Sequence, residues 1–137
     1  MDRNDLKKLA KMRVVEAKTL LGNGHYNGAY YLCGYVVECG LKACIAKQTK
    51  RYDFPNKKTV NESYTHNLTK LVRIAGLEIL LDAEVVHDVE FARNWAVTKD
   101  WTESSRYEEH TITEAQDLYS AITNRRNGVL KWIRRYW

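Results

Sequence analysis

The segment that most constrains this chain runs from residue 26 to residue 48. It sets Ala29, Cys33, Val36, Val37, Gly40, Leu41, Cys44 and Ile45 at intervals of mostly three or four residues. That recurrence gathers them on one face of an α-helix, because 3.6 residues complete a turn. No other long stretch is as apolar, so this helix is expected at the centre of the fold. Gly28, Gly34 and Gly40 lie within it. Each costs roughly 1 kcal/mol of helix stability against alanine. Keeping three of them predicts the close approach of a neighbouring helix.

Similar spacing recurs along the chain. Residues 4–21 carry Leu6, Leu9, Ala10, Ala17, Leu20 and Leu21, with Asn4 placed to cap the start and Gly22-Asn23-Gly24 to end the helix. Residues 49–64 hold the only proline and read as a loop. Thr65 opens a short helix with Leu68, Leu71, Val72 and Ala75, stopped by Gly76. Asp82 is expected to cap a fourth helix striped by Val85, Val86, Val89, Ala92, Trp95 and Ala96. Residues 98–110 lack periodicity and read as a second loop. Thr111 and Glu114 match the capping box and open a last helix through Ala115, Leu118, Ile122, Val129 and Ile133. Arg126 falls inside that stripe.

No strand alternation, internal repeat or low-complexity tract appears. The prediction is an all-α fold, an antiparallel helical bundle of four long helices plus one short helix. Its 137 residues suit one domain, residues 1–137. Seven glycines and one proline are too few for the turns of an all-β domain.

Several function classes drop out. No apolar run is long enough to span a bilayer, so no membrane partner is expected. The first residues have no apolar segment behind them, which predicts a cytoplasmic location. Cys33, Cys39 and Cys44 are odd in number and clustered, unlike a disulfide framework. On one helix Cys33 and Cys44 stand ~16 Å apart, too far to share a bond or a metal ion. They read as buried core. His25, His66, His87 and His110 are dispersed and build no zinc spacing with the cysteines. No cofactor and no metal is expected.

The net charge of +5 is unevenly spread. Residues 42–58 and residues 124–137 each carry +5, residues 61–121 carry −7, and residues 1–41 carry +2. Two basic segments therefore flank an acidic middle. An anionic ligand is favoured if the fold brings them together.

The run from Gly24 to Ala43 contains Ala29-Tyr-Tyr-Leu-Cys-Gly34-Tyr-Val-Val-Glu38 and then Leu41-Lys42-Ala43. It resembles the second helix of HEPN domains, where "AxYxxGYxxE" and "LKA" recur. His66 ahead of Leu68 and Leu71 resembles the family's third helix. Trp101 with Arg106-Tyr107 resembles its "W…RY" segment before the last helix. The resemblance covers nearly the whole chain. It implies a five-helix bundle, often a homodimer, that binds nucleotide or RNA. Some members work beside a small nucleotidyltransferase as toxin–antitoxin pairs.

Ribonuclease members carry Arg-x4–6-His, with Asn often directly after the Arg. Cleavage needs a proton-moving group and a cation to stabilise the phosphorane. After Arg93-Asn94 the required positions hold Thr98, Lys99 and Asp100; after Arg126-Asn127 they hold Lys131, Trp132 and Ile133. Arg106 meets His110 with only three residues between. The motif is absent, so the resemblance implies binding without cleavage. The alternative is a divergent metal-independent ribonuclease toxin using Arg93, Arg106 and His110.

The ligand-binding candidates are Glu38, Lys42, Arg93, Asn94, Arg106, Tyr107 and Arg126. Glu38 and Lys42 are either an intrahelical pair worth roughly 0.2–0.5 kcal/mol, or part of a polar site where Glu38 orients Arg93 or Arg126. Arg93 and Asn94 suit a rim position. Arg126 suits a packed stem with its head in water. Arg106 and Tyr107 suit a buried salt bridge that anchors their loop. The Arg134-Arg135-Tyr136-Trp137 end reads as a solvated helix end, or as phosphate contacts paired with stacking. Tyr30, Tyr31 and Tyr35 are the candidates for a dimer interface.

Overall fold

A computed structural model describes residues 1–51 and 57–137. Residues 52–56, which include the proline expected in a loop, and the side chains of Lys50 and Arg51 lie outside the described residues. Among the described residues every regular element is helical. The elements are α1 (Arg3–Gly22), α2 (Tyr26–Arg51), α3 (Lys57–Glu62), α4 (Leu68–Ile74), α5 (Glu78–His87), α6 (Val89–Lys99), a 3-10 turn (Glu103–Tyr107), α7 (Ile112–Thr123) and α8 (Val129–Arg134). The all-α bundle expected from the sequence is the fold observed. No helix among the described residues is long and apolar enough to cross a membrane.

α2 is the central helix. It packs against α1, α4, the 3-10 turn, α7 and α8. α1 turns back into it through Asn23–His25, where Gly24 takes a φ of 78° that other residues adopt at a cost. Ala29, Cys33, Val36, Val37, Leu41, Ala43, Cys44 and Ile45 are all buried. Two of its glycines are close approaches. A Cβ at residue 40 would lie 3.0 Å from Ile133 of α8, as a helix neighbour requires. At residue 34 the intruder is the Trp101 indole, from the segment after α6.

Boundaries differ from the sequence reading where side chains compete for backbone groups. Asp2, rather than Asn4, caps α1. Its carboxylate accepts from the Asp5 amide at 2.9 Å while Asp5 accepts from the Asp2 amide at 3.1 Å, satisfying two end donors at once. α4 is capped by Asn67, which accepts from the Lys70 amide at 2.9 Å, rather than by Thr65. Helix already occupies residues 49–51 and 57–62 of the expected first loop.

The expected fourth helix is two helices. α5 begins at Glu78, before Asp82, and ends at Asp88, whose extended backbone stops it and whose side chain caps α6. The expected last helix is also two. Asn124 stops α7, and its side chain accepts from the Arg126 and Asn127 amides at 2.9 and 3.0 Å. Gly128 completes this turn, since a Cβ there would meet the Asn124 carbonyl oxygen at 2.4 Å. Arg126 therefore sits exposed in a turn and not in an apolar stripe. The two breaks are tied together. The Asn127 amide donates to Asp88 at 2.6 Å, and the Asn94 amide donates to the Asn127 carbonyl at 3.0 Å.

A candidate nucleotide site beside the buried Glu38

Glu38 lies on the inward part of α2 among Val36, Val37, Cys39 and Leu41, and only 2% of it is exposed. A carboxylate there must be paired, because an isolated buried charge is costly. Its partners are Lys42 and His66. Lys42 Nζ approaches one oxygen at 3.4 Å from the next turn of the helix, and His66 Nδ1 meets the other at 2.8 Å. The expected arginine partners are elsewhere. Arg93 pairs with Glu90 at 2.7 Å on the surface of α6, and Arg126 is in the α7–α8 turn.

His66 carries the network outward. Its Nε2 lies 3.2 Å from Glu103, and the other Glu103 oxygen lies 3.8 Å from Arg106. The Arg106 guanidinium sits 4.8 Å from the centroid of the Tyr107 ring, a cation–π contact. So a continuous chain, Lys42–Glu38–His66–Glu103–Arg106, runs from the interior to an exposed cation beside an exposed aromatic. Both His66 nitrogens face carboxylates. They donate to both at once only when the ring carries two protons.

Trp101 positions the outer half. Its indole fills the space over Gly34 and is 2% exposed, and it stands 6.0 Å from Tyr31. That fixes where the chain leaves α6 and hence where the 3-10 turn presents Glu103 and Arg106. The anchor of this loop is therefore Trp101. Arg106 is a solvent-facing ion pair with Glu103, not the buried salt bridge expected from its place in the sequence.

Burial and negative neighbours shape the surrounding groups. The Cys39 thiol is pushed up to about 11, first by burial and then by Glu38. The Tyr35 phenol is raised by burial, with Cys39 and Glu38 adding to it, while Arg13, 5.9 Å from its ring, works the other way. Among the described residues no group of three or more His, Cys, Asp or Glu side chains is placed to hold a metal ion.

A family model for the HEPN domain matches residues 4–136. The chain belongs to the HEPN family. No curated protein and no solved structure matches it.

In this HEPN domain the three residues of the ribonuclease alternative have separate partners. Arg93 pairs with Glu90 and Arg106 with Glu103. His110 stacks on Tyr30 with ring centroids 3.7 Å apart, and its Nδ1 lies 3.1 Å from Glu114. No hydrogen bond or ion pair joins any two of the three among the described residues. Of the binding candidates, Glu38, Lys42, Arg106 and Tyr107 converge. Arg93 lies on α6, Asn94 is committed to the Asn127 carbonyl, and Arg126 is in the α7–α8 turn.

His66 and Glu103 were absent from the candidates. One signal could have found His66. Glu38 on an apolar face needs a partner, and the histidine opening the third helix was already part of the HEPN resemblance. Glu103 left no such signal, because only the Trp101 anchor brings its turn to His66.

Proposed function

We propose that this HEPN domain binds nucleotide or RNA at the Glu38–His66–Glu103–Arg106 cluster and does not cut it. The observation that supports the reading is the chain of contacts that holds an exposed Arg106–Tyr107 pair against a buried carboxylate. Arginine presents a planar fork suited to phosphate. Glu103, 3.8 Å away, is a weak enough partner for a phosphate to replace. Tyr107, 78% exposed, is free to stack on a base. Lys42 and His66 add donors further in.

The wider reading follows the family. The domain acts as a cytoplasmic homodimer beside a small nucleotidyltransferase in a toxin–antitoxin pair. Ile79, Val86 and Val89 are large, apolar and exposed, and a second copy would cover them. Calorimetric titration of nucleoside monophosphates and short RNA at low salt tests the binding. Arg106→Ala and Tyr107→Ala are expected to weaken it tenfold or more with the fold intact. No affinity in the unaltered protein overturns the proposal. RNA cleavage abolished by His110→Ala supports the ribonuclease reading instead, for which the buried His110 Nε2, with no hydrogen bond and only Glu108 at 3.7 Å, is the favouring observation.

A further inference from the structure

Among the described residues, α3 is the one helix with no buried residue. It has six residues, too few to hold a helix in water by themselves. Between α3 and the body of the fold lies a cavity of about 580 Å3. That is within the ~300–1,000 Å3 of small-ligand clefts. Leu6 of α1 and Ile45 and Ala46 of α2 border it from the core side, and Val60 and Tyr64 border it from α3 and the turn that follows. Leu6 and Ile45 are 8% and 6% exposed, whereas Val60 is 38% exposed. The apolar side chain of α3 therefore faces a gap and packs on little.

The cavity also has a charged end. Lys42, Ile45, Ala46 and Thr49 all line it, at the spacing of one helix face over two turns, a rise of ~10 Å. Lys42 begins that stripe and apolar residues follow it. Lys42 Nζ stands 3.4 Å from Glu38, a long contact for a group with three donors. Arg3 lines the same cavity and adds positive potential to it, although it also donates to the Trp137 backbone oxygen. The carboxylate in the lining, Asp2, is turned to the Asp5 amide at 2.9 Å, where it caps α1. Thr49 and Ser63 give their hydroxyl protons to the Ile45 and Val60 carbonyls.

We propose that this cavity binds a small aliphatic carboxylate, with its head on Lys42 and its chain along Ile45 and Ala46 beneath Val60.

Charge selects the head. Lys42 and Arg3 repel a cationic amphiphile, and an uncharged alcohol leaves the Lys42 donors without an anion. The apolar border selects the body. A hydrocarbon chain removes water from Leu6, Ile45 and Val60 and gives α3 the buried contact it lacks. A nucleotide fits less well, because its ribose and base bring polar groups that Leu6, Ile45 and Ala46 cannot hydrogen-bond. The site is separate from the Arg106 cluster and shares only Lys42 with it.

Calorimetric titration with butanoate, hexanoate and octanoate at neutral pH tests the proposal. Affinity is expected to rise about fourfold per added methylene, the fold-change of ~0.8 kcal/mol each. Octanol and octylamine, with the same chain and no negative charge, are expected to bind at least about tenfold more weakly. Ala46→Phe places a ring in the cavity and is expected to abolish octanoate binding, with circular dichroism checking the fold. Isotope-filtered nuclear Overhauser spectra of the unaltered protein read the location without a variant, through contacts from octanoate to the Leu6, Ile45 and Val60 methyls. No octanoate binding, equal binding of octanol, an Ala46→Phe variant that binds as before, or contacts to other methyls overturns the proposal. Displacement of octanoate by a nucleoside monophosphate overturns it too, since the cavity would then belong to the nucleotide site. If octanoate binds as expected and nucleotides do not bind at all, the preceding proposal fails and this one stands.

Discussion

Trp101 occupies the space that a side chain at Gly34 would need. A Cβ there would lie 2.0 Å from the indole. In an ordinary helix interior Gly→Ala stabilises by about 1 kcal/mol. Here the sign is expected to reverse, because an indole packed on a helix cannot yield by that distance. Overpacking of this kind costs roughly 1–3 kcal/mol. Gly34→Ala is expected to lower the urea midpoint and weaken the near-ultraviolet tryptophan signal. It should also reduce nucleotide affinity by displacing Arg106. A stabilised variant with unchanged tryptophan signal would contradict the anchoring role of Trp101.

Glu38 holds Lys42 and His66 together from a buried position. Removing one partner of a fully buried pair costs about 3–5 kcal/mol. Both partners here reach solvent, so Glu38→Gln is expected to cost less, about 1.5–3 kcal/mol, the range of one hydrogen bond to a charged group. Equilibrium unfolding in urea measures it. His66→Ala combined with Glu38→Gln is expected to be less than additive, since the two share one contact. Full additivity would mean that they act independently.

The three thiols are expected to be inert in the folded protein. Burial pushes Cys33 and Cys44 up to about 12 and Cys39 to about 11. A raised thiol is almost wholly protonated near pH 8, and the thiolate is the reactive form. A disulfide-exchange reagent at pH 8 should label none within minutes, and all three once urea unfolds the chain. One rapidly labelled thiol in the native protein would show that α2 opens locally.

Two carboxylates make stability depend on acid. Asp88 is held below the ordinary carboxylate range first by the Phe91 amide and then by the Asn127 side chain. Glu114 is held down first by the His110 side chain and then by the Thr111 amide. A depressed carboxylate contributes stability that is present above its unfolded value, about 4, and is lost as pH falls through its folded value. The melting temperature should therefore fall below about pH 4. The combined Asp88→Ala and Glu114→Ala variant should melt lower at pH 7 and show a flatter acid limb. An acid limb equal to that of the unaltered protein would rule these two groups out as its source.

The helical class was legible because periodicity is local. Residues within four of each other decide whether a stripe forms, and the stripe of α2 did so without ambiguity. The Thr111–Glu114 cap was legible for the same reason. The breaks at Asp88 and Asn124 were not, since each stripe continues across its break. What stops the helix is a side chain bonding to the backbone beyond it, held in place by Asn127, which joins the two breaks.

The same division governs function. The sequence by itself determined an all-helical chain, a buried Glu38 in need of a partner, and two basic segments around an acidic middle. Only the tertiary structure decided that the partner is His66, that Glu103 extends the network, and that Arg93 and Arg126 stand apart. It also decided where the positive charge concentrates. Lys7 and Lys11, one turn apart on the α1 row, meet Arg134 of α8 at the Trp137 ring. Counting along the chain hides that row, because Asp2 and Asp5 cancel part of its charge while both are engaged in capping α1. A helix separates in space the charges that a count adds together, and packing brings together charges that lie far apart in the chain.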